Sequence, residues 1–262
     1  MTTDFGAGTD ARRGSGALAG QVALLTGAVR RNGRAMALAM AGEGANIVIN
    51  ARSSRDEALA VVREVETLGG EAMAHLADIR DEAAVSEMFA AVDERFGRLD
   101  ILVNNAANRR QTPFLEMSFD EWKEFTTIVL DGAFLCSREA LKRMVAQGGG
   151  RIVNIGGVSA AMGTPNRAHV VAAKGGLLAL TRALATEFAP HGITVNCVAP
   201  GLIGGDRPAS AGSLPPGAAS NVLLGREGTF EEVASMVMTL VLPTGGYITG
   251  QTIHVNGGMY FG

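Results

Sequence analysis

Cysteine, tryptophan and tyrosine are all scarce: 2 Cys, 1 Trp and 2 Tyr in 262 residues. The two cysteines, Cys136 and Cys197, are too few and too far apart for a disulfide framework or a thiolate metal site. Their apolar neighbours mark them as reduced core thiols, and no metal centre is expected. No arm or stripe is strongly basic and the formal net charge is −3, so no nucleic-acid partner is expected. No apolar run approaches the roughly 20 residues of a membrane span. Residues 1–19 lack the apolar core of a secretion signal. They read as a flexible leader before a single domain over 20–262, and the protein reads as cytoplasmic. Proline is modest, 8 residues against 35 glycines, a balance that suits many tight turns between helices and strands. At 47% hydrophobic and 19% charged, the composition is globular, in a chain long enough to bury a large core without covalent staples.

What is present is a regular alternation. Short apolar runs at 21–26, 45–50, 71–77, 101–105, 151–155, 193–198 and 252–255 predict strands. Between them, 34–42, 54–68, 82–96, 118–146, 166–188 and 229–242 predict helices. Ser118 with Glu121, and Thr229 with Glu232, have the spacing of capping boxes. Seven strands apolar on both faces, joined by six helices, predict an α/β fold: one doubly wound parallel sheet with helices on both faces. One stretch breaks the rhythm. Residues 201–224 are rich in Gly, Pro, Ala and Ser and follow the sixth strand, at the carboxyl edge where such sheets bind ligands. They read as a mobile substrate lid.

The first strand leads directly into Thr26-Gly27-Ala28-Val29-Arg30-Arg31-Asn32-Gly33-Arg34 and then a helix of small residues. Glycines at such a turn let the backbone approach a pyrophosphate, and the helix N-terminus offers it free N–H groups. This placement predicts a Rossmann-type dinucleotide site at Gly27 and Gly33. The second strand ends in Asn50-Ala51-Arg52-Ser53. An acidic residue there would hold the ribose 2′-hydroxyl of NAD(H), and there is none. Arg52 and Ser53, with Arg30 and Arg31 of the turn, suit a 2′-phosphate instead. NADP(H) is therefore the preferred cofactor and NAD(H) the alternative.

Further segments follow in order: Ala77-Asp78-Ile79, Asn104-Asn105-Ala106-Ala107, Ile152-Val153-Asn154-Ile155, Ala172-Ala173-Lys174-Gly175-Gly176, and Val195-Asn196 through Pro200-Gly201. Tyr247 through Gln251, and His254 through Gly258, complete the series. Together with the turn, their order and spacing resemble the short-chain dehydrogenase/reductases over nearly all of 20–258. The resemblance implies that Asp78 and Ile79 hold the adenine ring and that Asn104 and Ala106 line the nicotinamide side. It implies that Pro200, Gly201 and Ile203 shape the nicotinamide pocket and that Lys174 grips the nicotinamide ribose. It also implies a small-molecule substrate and a homo-oligomer, a tetramer first and a dimer next. The Arg30-Arg31 turn is similar to that of pteridine reductases and other NADPH-preferring members.

The same resemblance exposes a departure. The family places a proton-donating Tyr four residues before the Lys, a Ser thirteen residues before the Tyr, and an Asn on the preceding long helix. Counting back from Lys174 gives Val170 and then Gly157, and the Asn aligns with Val129. A one-residue slip offers only His169 or Val171. Both tyrosines, Tyr247 and Tyr260, lie near the C-terminus, and Tyr260 sits in an apolar tail that could cross to a neighbouring subunit's pocket. Three explanations stay open. The first is another catalytic group. His169 offers an imidazole, although five residues place it on a different helix face from Lys174. Ser159 lies two residues past Gly157, with the same strand parity. The second is chemistry that needs no tyrosine, such as reduction of an activated C=C or C=N bond or an unusual carbonyl. Residues 128–134 are similar to the matching helix of dienoyl-CoA reductases, which keep the Lys without that Tyr. The third is a cofactor-binding pseudoenzyme with a sensing or scaffolding role. Asn108, Arg109 and Arg110 follow the fourth strand, where adjacent arginines could grip an anionic substrate.

Overall fold

The computed structural model describes residues 16–205 and 221–262. The apolar runs form β1 (Val22–Leu25), β2 (Asn46–Ala51), β3 (Ala72–Leu76), β4 (Ile101–Asn104), β5 (Gly150–Ile155), β6 (Ile193–Pro200) and β7 (Thr252–Val255). These make one sheet in the order β3-β2-β1-β4-β5-β6-β7, with every neighbouring pair parallel. The helices are α1 (Arg31–Gly42), α2 (Arg55–Thr67), α3 (Glu82–Phe96), α4 (Phe119–Thr126), α5 (Gly132–Gln147), α6 (Ser159–Met162), α7 (Ala168–Phe188) and α8 (Phe230–Val241).

Successive strand residues point to opposite faces, and the two cores follow from that. Ala23 and Leu25 of β1 and Ile101 and Val103 of β4 face a core closed by α1, α2 and α8, through Met36, Met40, Val65, Val237 and Leu240. Val22, Leu24 and Leu102 face the other core, closed by α3 and α5 through Met88, Phe89, Leu135 and Met144. A strand covered on both faces must be apolar throughout, which is why the runs are unbroken rather than alternating. Strand order reverses between β1 and β4, and this opens a crevice at their carboxyl ends.

The predicted helix over 118–146 is interrupted. Between α4 and α5 the backbone widens into a π turn, Thr127–Asp131. The hydroxyls of Thr126 and Thr127 donate back to the carbonyls of Trp122 and Lys123, a bonding pattern that bends helices. Gly132 then begins α5 hard against Ile79: a β-carbon there would lie 2.6 Å from Ile79 Cδ1. Only half of the first capping box forms. Ser118 Oγ accepts from the Glu121 N–H at 3.1 Å, but the Glu121 carboxylate is taken by the Thr112 hydroxyl at 2.5 Å. The second box, Thr229 with Glu232, closes in both directions.

The packed chain begins before residue 20. Leu18, assigned by sequence to the leader, is fully buried, and its N–H donates to the Glu43 carbonyl at 3.0 Å. Residues 1–15, and 206–220 at the centre of the predicted lid, lie outside the described residues. The two ends of that loop are pinned: Gly204 N–H donates to Gly228 O at 2.9 Å, and Leu224 N–H to Gly257 O at 3.1 Å. Cys136 and Cys197 are free and buried, and burial pushes their thiols up to about 12 and about 11. Among the described residues no His, Cys, Asp and Glu group is spaced to hold a metal, and no helix is long and apolar enough to cross a membrane.

Candidate active site

A cleft of about 650 Å³ lies over the carboxyl ends of the strands, walled by the segments that follow β1 to β6. That volume suits a small organic ligand or part of a larger one. At one end, Gly27 combines a left-handed φ of +59° with a close approach: a β-carbon there would lie 3.0 Å from Ala106 Cα. Glycine meets both demands. Thr26 Oγ1 accepts from the N–H groups of Asn105 and Ala106, and Asn105 Nδ2 donates to the carbonyls of Thr26 and Gly27. The turn after β1 is thereby locked to the turn after β4. The described residues include two non-glycine positions with left-handed φ, Arg31 at +53° and Asn166 at +59°, and both stand in the cleft wall. Strained residues of this kind concentrate at ligand clamps.

Arg30, Arg31, Arg52 and Ser53 line the same end as Gly27 and Gly33. Among the described residues, Asp78 is the single acidic side chain in the wall. Arg80 Nε donates to its carboxylate at 2.9 Å, and that hydrogen bond holds the carboxyl below its usual range. Asn32 Oδ1, in the first turn of α1, is buried with no partner. An orphaned acceptor beside a cationic wall fits an anionic ligand that also carries donors, as a dinucleotide does.

At the other end stands Lys174, 7% exposed, its ammonium donating to the Ile155 carbonyl. Burial pushes its pKa down to about 8; Cys197 opposes the shift and Arg109 adds to it. Val170, one helical turn earlier, shares the wall with Ile128, Gly157, Ser159 and Lys174. Ser159 starts α6 rather than extending β5, so the parity reading does not apply to it. It reaches the cleft all the same. A β-carbon at Gly157 would lie 3.7 Å from Ser159 Oγ.

Residues 27–260 match the family model described as enoyl-(acyl carrier protein) reductase. The chain belongs to the short-chain dehydrogenase/reductase family. It is an oxidoreductase of that family. It is 41% identical over 244 residues to a 3-oxoacyl-[acyl-carrier-protein] reductase of Synechocystis, covering 93% of this chain and 98% of the relative. A reductase of the same description from Staphylococcus aureus is 41% identical over 239 residues, covering 91% and 97%. A solved short-chain dehydrogenase/reductase double mutant from Serratia marcescens superposes with a TM-score of 0.85 at 33% identity, covering 92% and 98%.

Within this short-chain dehydrogenase/reductase, most residues singled out by sequence meet in the one cleft. Gly27, Arg30, Arg31, Gly33, Arg52 and Ser53 stand at one end, Asp78, Ile79 and Ala106 between, and Ser159, Lys174, Pro200, Gly201 and Ile203 at the other. Two do not. Asn104 turns to the opposite face of β4 from Val103, where its Nδ2 donates to Ser137 Oγ at 3.0 Å and Asn154 Oδ1 at 2.8 Å. Its neighbour Asn105 is the one in the wall. His169 is fully buried, its ring edge-on to Phe125 at 4.0 Å and its Nε2 3.7 Å from Glu121 Oε1. One residue turns a helix by about 100°, so with Val170 and Lys174 facing the cleft His169 faces α4. Burial lowers its pKa, and it is no longer a catalytic candidate.

Three further placements refine the reading. Val129 packs with Ala133, Ala173 and Leu177, and Ile128 takes the wall position beside it. Arg109 lines the cleft while Arg110 turns away, 3.8 Å from both Glu121 and Glu124. Tyr260 packs on His254 of its own chain at 4.9 Å. The sequence reading missed Arg167, Gln111 and Met259, which also line the cleft. A signal existed for Arg167: it precedes Val170 by three residues, one turn along the same helix face.

Proposed function

We propose that the protein is an NADP(H)-dependent reductase in which Ser159 and Lys174, without a tyrosine, meet the substrate. The observation that carries this reading is the hydroxyl of Ser159, 3.7 Å from where a side chain at Gly157 would begin. That is van der Waals range of the position from which the family's serine would project. Arg30, Arg31, Arg52 and Ser53 would hold a 2′-phosphate, Gly27 and the first turn of α1 the pyrophosphate, and Lys174 the nicotinamide ribose. Bound there, the nicotinamide supplies hydride. The chain's own work is to orient the substrate and to stabilise charge. Ser159 donates a hydrogen bond to the substrate oxygen on which negative charge develops, a preorganised contact that strengthens in the transition state. Val170 gives that wall an apolar surface and has no proton to transfer.

An isolated ketone needs a proton at its oxygen, and this wall supplies none from position 170. A substrate that spreads charge by conjugation suits it better. The relatives are named for 3-oxoacyl groups and the matching family model for enoyl groups. Of the two, the activated double bond better suits a wall in which apolar Val170 and Ile128 stand beside Ser159, its proton coming from water at carbon. The test is an NADPH titration by fluorescence, then absorbance at the NADPH band with enoyl and 3-oxoacyl thioesters. Ser159→Ala is expected to lower kcat/KM by roughly 100-fold while the NADPH Kd holds. Full activity in Ser159→Ala overturns the assignment. NADPH binding without turnover of any thioester favours the non-catalytic, cofactor-binding alternative.

A further inference from the structure

Helix α7 buries six residues, and three of them are polar: His169, Lys174 and Thr181. His169 faces α4. Lys174 and Thr181 stand seven residues apart, two helical turns along the same face and about 10.5 Å along the axis. Both are bonded to neighbouring residues of β5. The Lys174 ammonium donates to the Ile155 carbonyl, and Thr181 Oγ1 accepts from Asn154 Nδ2 at 2.9 Å.

The second of these contacts ends a longer chain. Thr181 donates its own hydroxyl proton to the Leu177 carbonyl at 2.8 Å, one turn back in α7, so its oxygen is left to accept. That turns the Asn154 amide nitrogen toward α7 and its oxygen toward β4, where Asn104 Nδ2 donates to it at 2.8 Å. Asn104 and Asn154 are partners in the β4–β5 register. Asn104 Nδ2 also donates to Ser137 Oγ of α5 at 3.0 Å. All four side chains are buried, so α5, β4, β5 and α7 are joined by one core hydrogen-bond chain of a single polarity.

Apolar contacts such as those of Leu177 and Ala185 are non-directional and tolerate sliding along a helix axis. A core hydrogen bond does not, because sliding leaves a buried donor unpaired. Gly175 and Gly176 lie between the two ties, and glycine holds helical backbone less firmly than any residue but proline. The height of α7 over β5 is therefore set from outside the helix. We infer that Asn154 and Thr181 are positioning residues for Lys174: they fix α7 over the sheet, and with it the place where the ammonium meets a ligand in the cleft. Neither stands in the described wall of the cleft, so both act through the lysine. The role rests on Lys174 gripping the nicotinamide ribose.

The experiment is calorimetric titration with NADP⁺ from pH 7 to 10, on the wild type, Thr181→Val and Thr181→Ser. Valine keeps the shape and loses the hydroxyl; serine keeps the hydroxyl and loses a buried methyl. Thr181→Val is expected to weaken NADP⁺ binding at pH 7 by roughly tenfold, as one misplaced charge-assisted contact would, and to flatten the pH dependence. Thr181→Ser is expected to match the wild-type Kd and slope while melting roughly 2–4 °C lower. Asn154→Val cuts the same tie from the strand side and leaves Thr181 bonded to Leu177. It is expected to reproduce the loss, and it decides the matter if Thr181→Val does not fold. A Thr181→Val protein with the wild-type Kd and slope overturns the positioning role. So does a Thr181→Ser protein as weak as Thr181→Val, a pattern that marks lost packing rather than a lost tie. A wild type that does not bind NADP⁺, or a slope that Lys174→Met retains, removes the lysine's role first and the positioning role with it.

Discussion

A lysine that is 7% exposed is costly to keep unless a ligand uses its charge. Burial brings the folded pKa of Lys174 down to about 8, below the value of about 10.4 for a free lysine. Between those two values the unfolded chain binds more protons, so the stability contributed by this group rises with pH through that window. Below about 8 both states carry the proton, and the ligand-free fold bears the full desolvation penalty. The proposed ribose contact would favour the ammonium. Binding above pH 8 must therefore take up a proton, and NADP⁺ affinity is expected to fall by up to about tenfold per pH unit over the range from about 8 to about 10. Lys174→Met is expected to bind more weakly at pH 7 and to lose this slope. Fluorescence titrations from pH 7 to 10 measure both. A wild-type Kd that stays flat across the window removes the ribose-gripping role from Lys174.

Helix α8 is the element whose construction is most completely specified locally. Thr229 Oγ1 accepts from the Glu232 N–H at 3.1 Å, and Glu232 Oε2 accepts from the Thr229 N–H at 2.8 Å. The helix packs its Val233, Val237 and Leu240 into the same core as Met36 and Met40 of α1. Thr229→Ala is expected to cost about 1 kcal/mol, a fall in Tm of roughly 2–4 °C in a chain of this size, with NADPH affinity unchanged. An unaltered Tm would mean that the cap is redundant with core packing. This element was legible in the sequence because its signal is periodic and short-range, and so were the seven strands, each found within about two residues. The π turn was not, because it depends on Thr126 and Thr127 bonding backward and on Gly132 meeting Ile79. The site followed the same division. Gly27, Arg52 and Lys174 sit at fixed offsets from strand ends or helix turns and were readable. Arg109 and Arg110 were not separable, since a loop has no period to say which side chain faces in. Asn104 was separable in principle: strand parity puts it on the face of Leu102, toward α5.

Across the whole molecule, cofactor binding and fold stability are one measurement. The cleft is walled by segments after six strands of a single sheet, so a ligand that spans it ties both halves of the fold together. A ligand that binds only the folded chain adds about 2.7 kcal/mol at a hundredfold excess over its Kd. In a chain of this size that raises Tm by roughly 5–10 °C. NADPH and NADH differ by the 2′-phosphate alone, so the difference between their shifts at equal concentration reads the end lined by Arg30, Arg31, Arg52 and Ser53. Arg52 is exposed, and Arg52→Ala is expected to move the ligand-free Tm by no more than about 1–2 °C. A guanidinium lost from a phosphate removes a charge-assisted contact of roughly 1.5–3 kcal/mol. The NADPH shift of Arg52→Ala is therefore expected to shrink by roughly 3–8 °C toward the NADH shift, which itself stays put. Thermal melts of both proteins with each dinucleotide decide it. Equal NADPH and NADH shifts in the wild type rule out the cofactor preference. A gap that survives Arg52→Ala keeps the preference but moves its origin into the turn after β1, where Arg31 holds its left-handed backbone in the same wall.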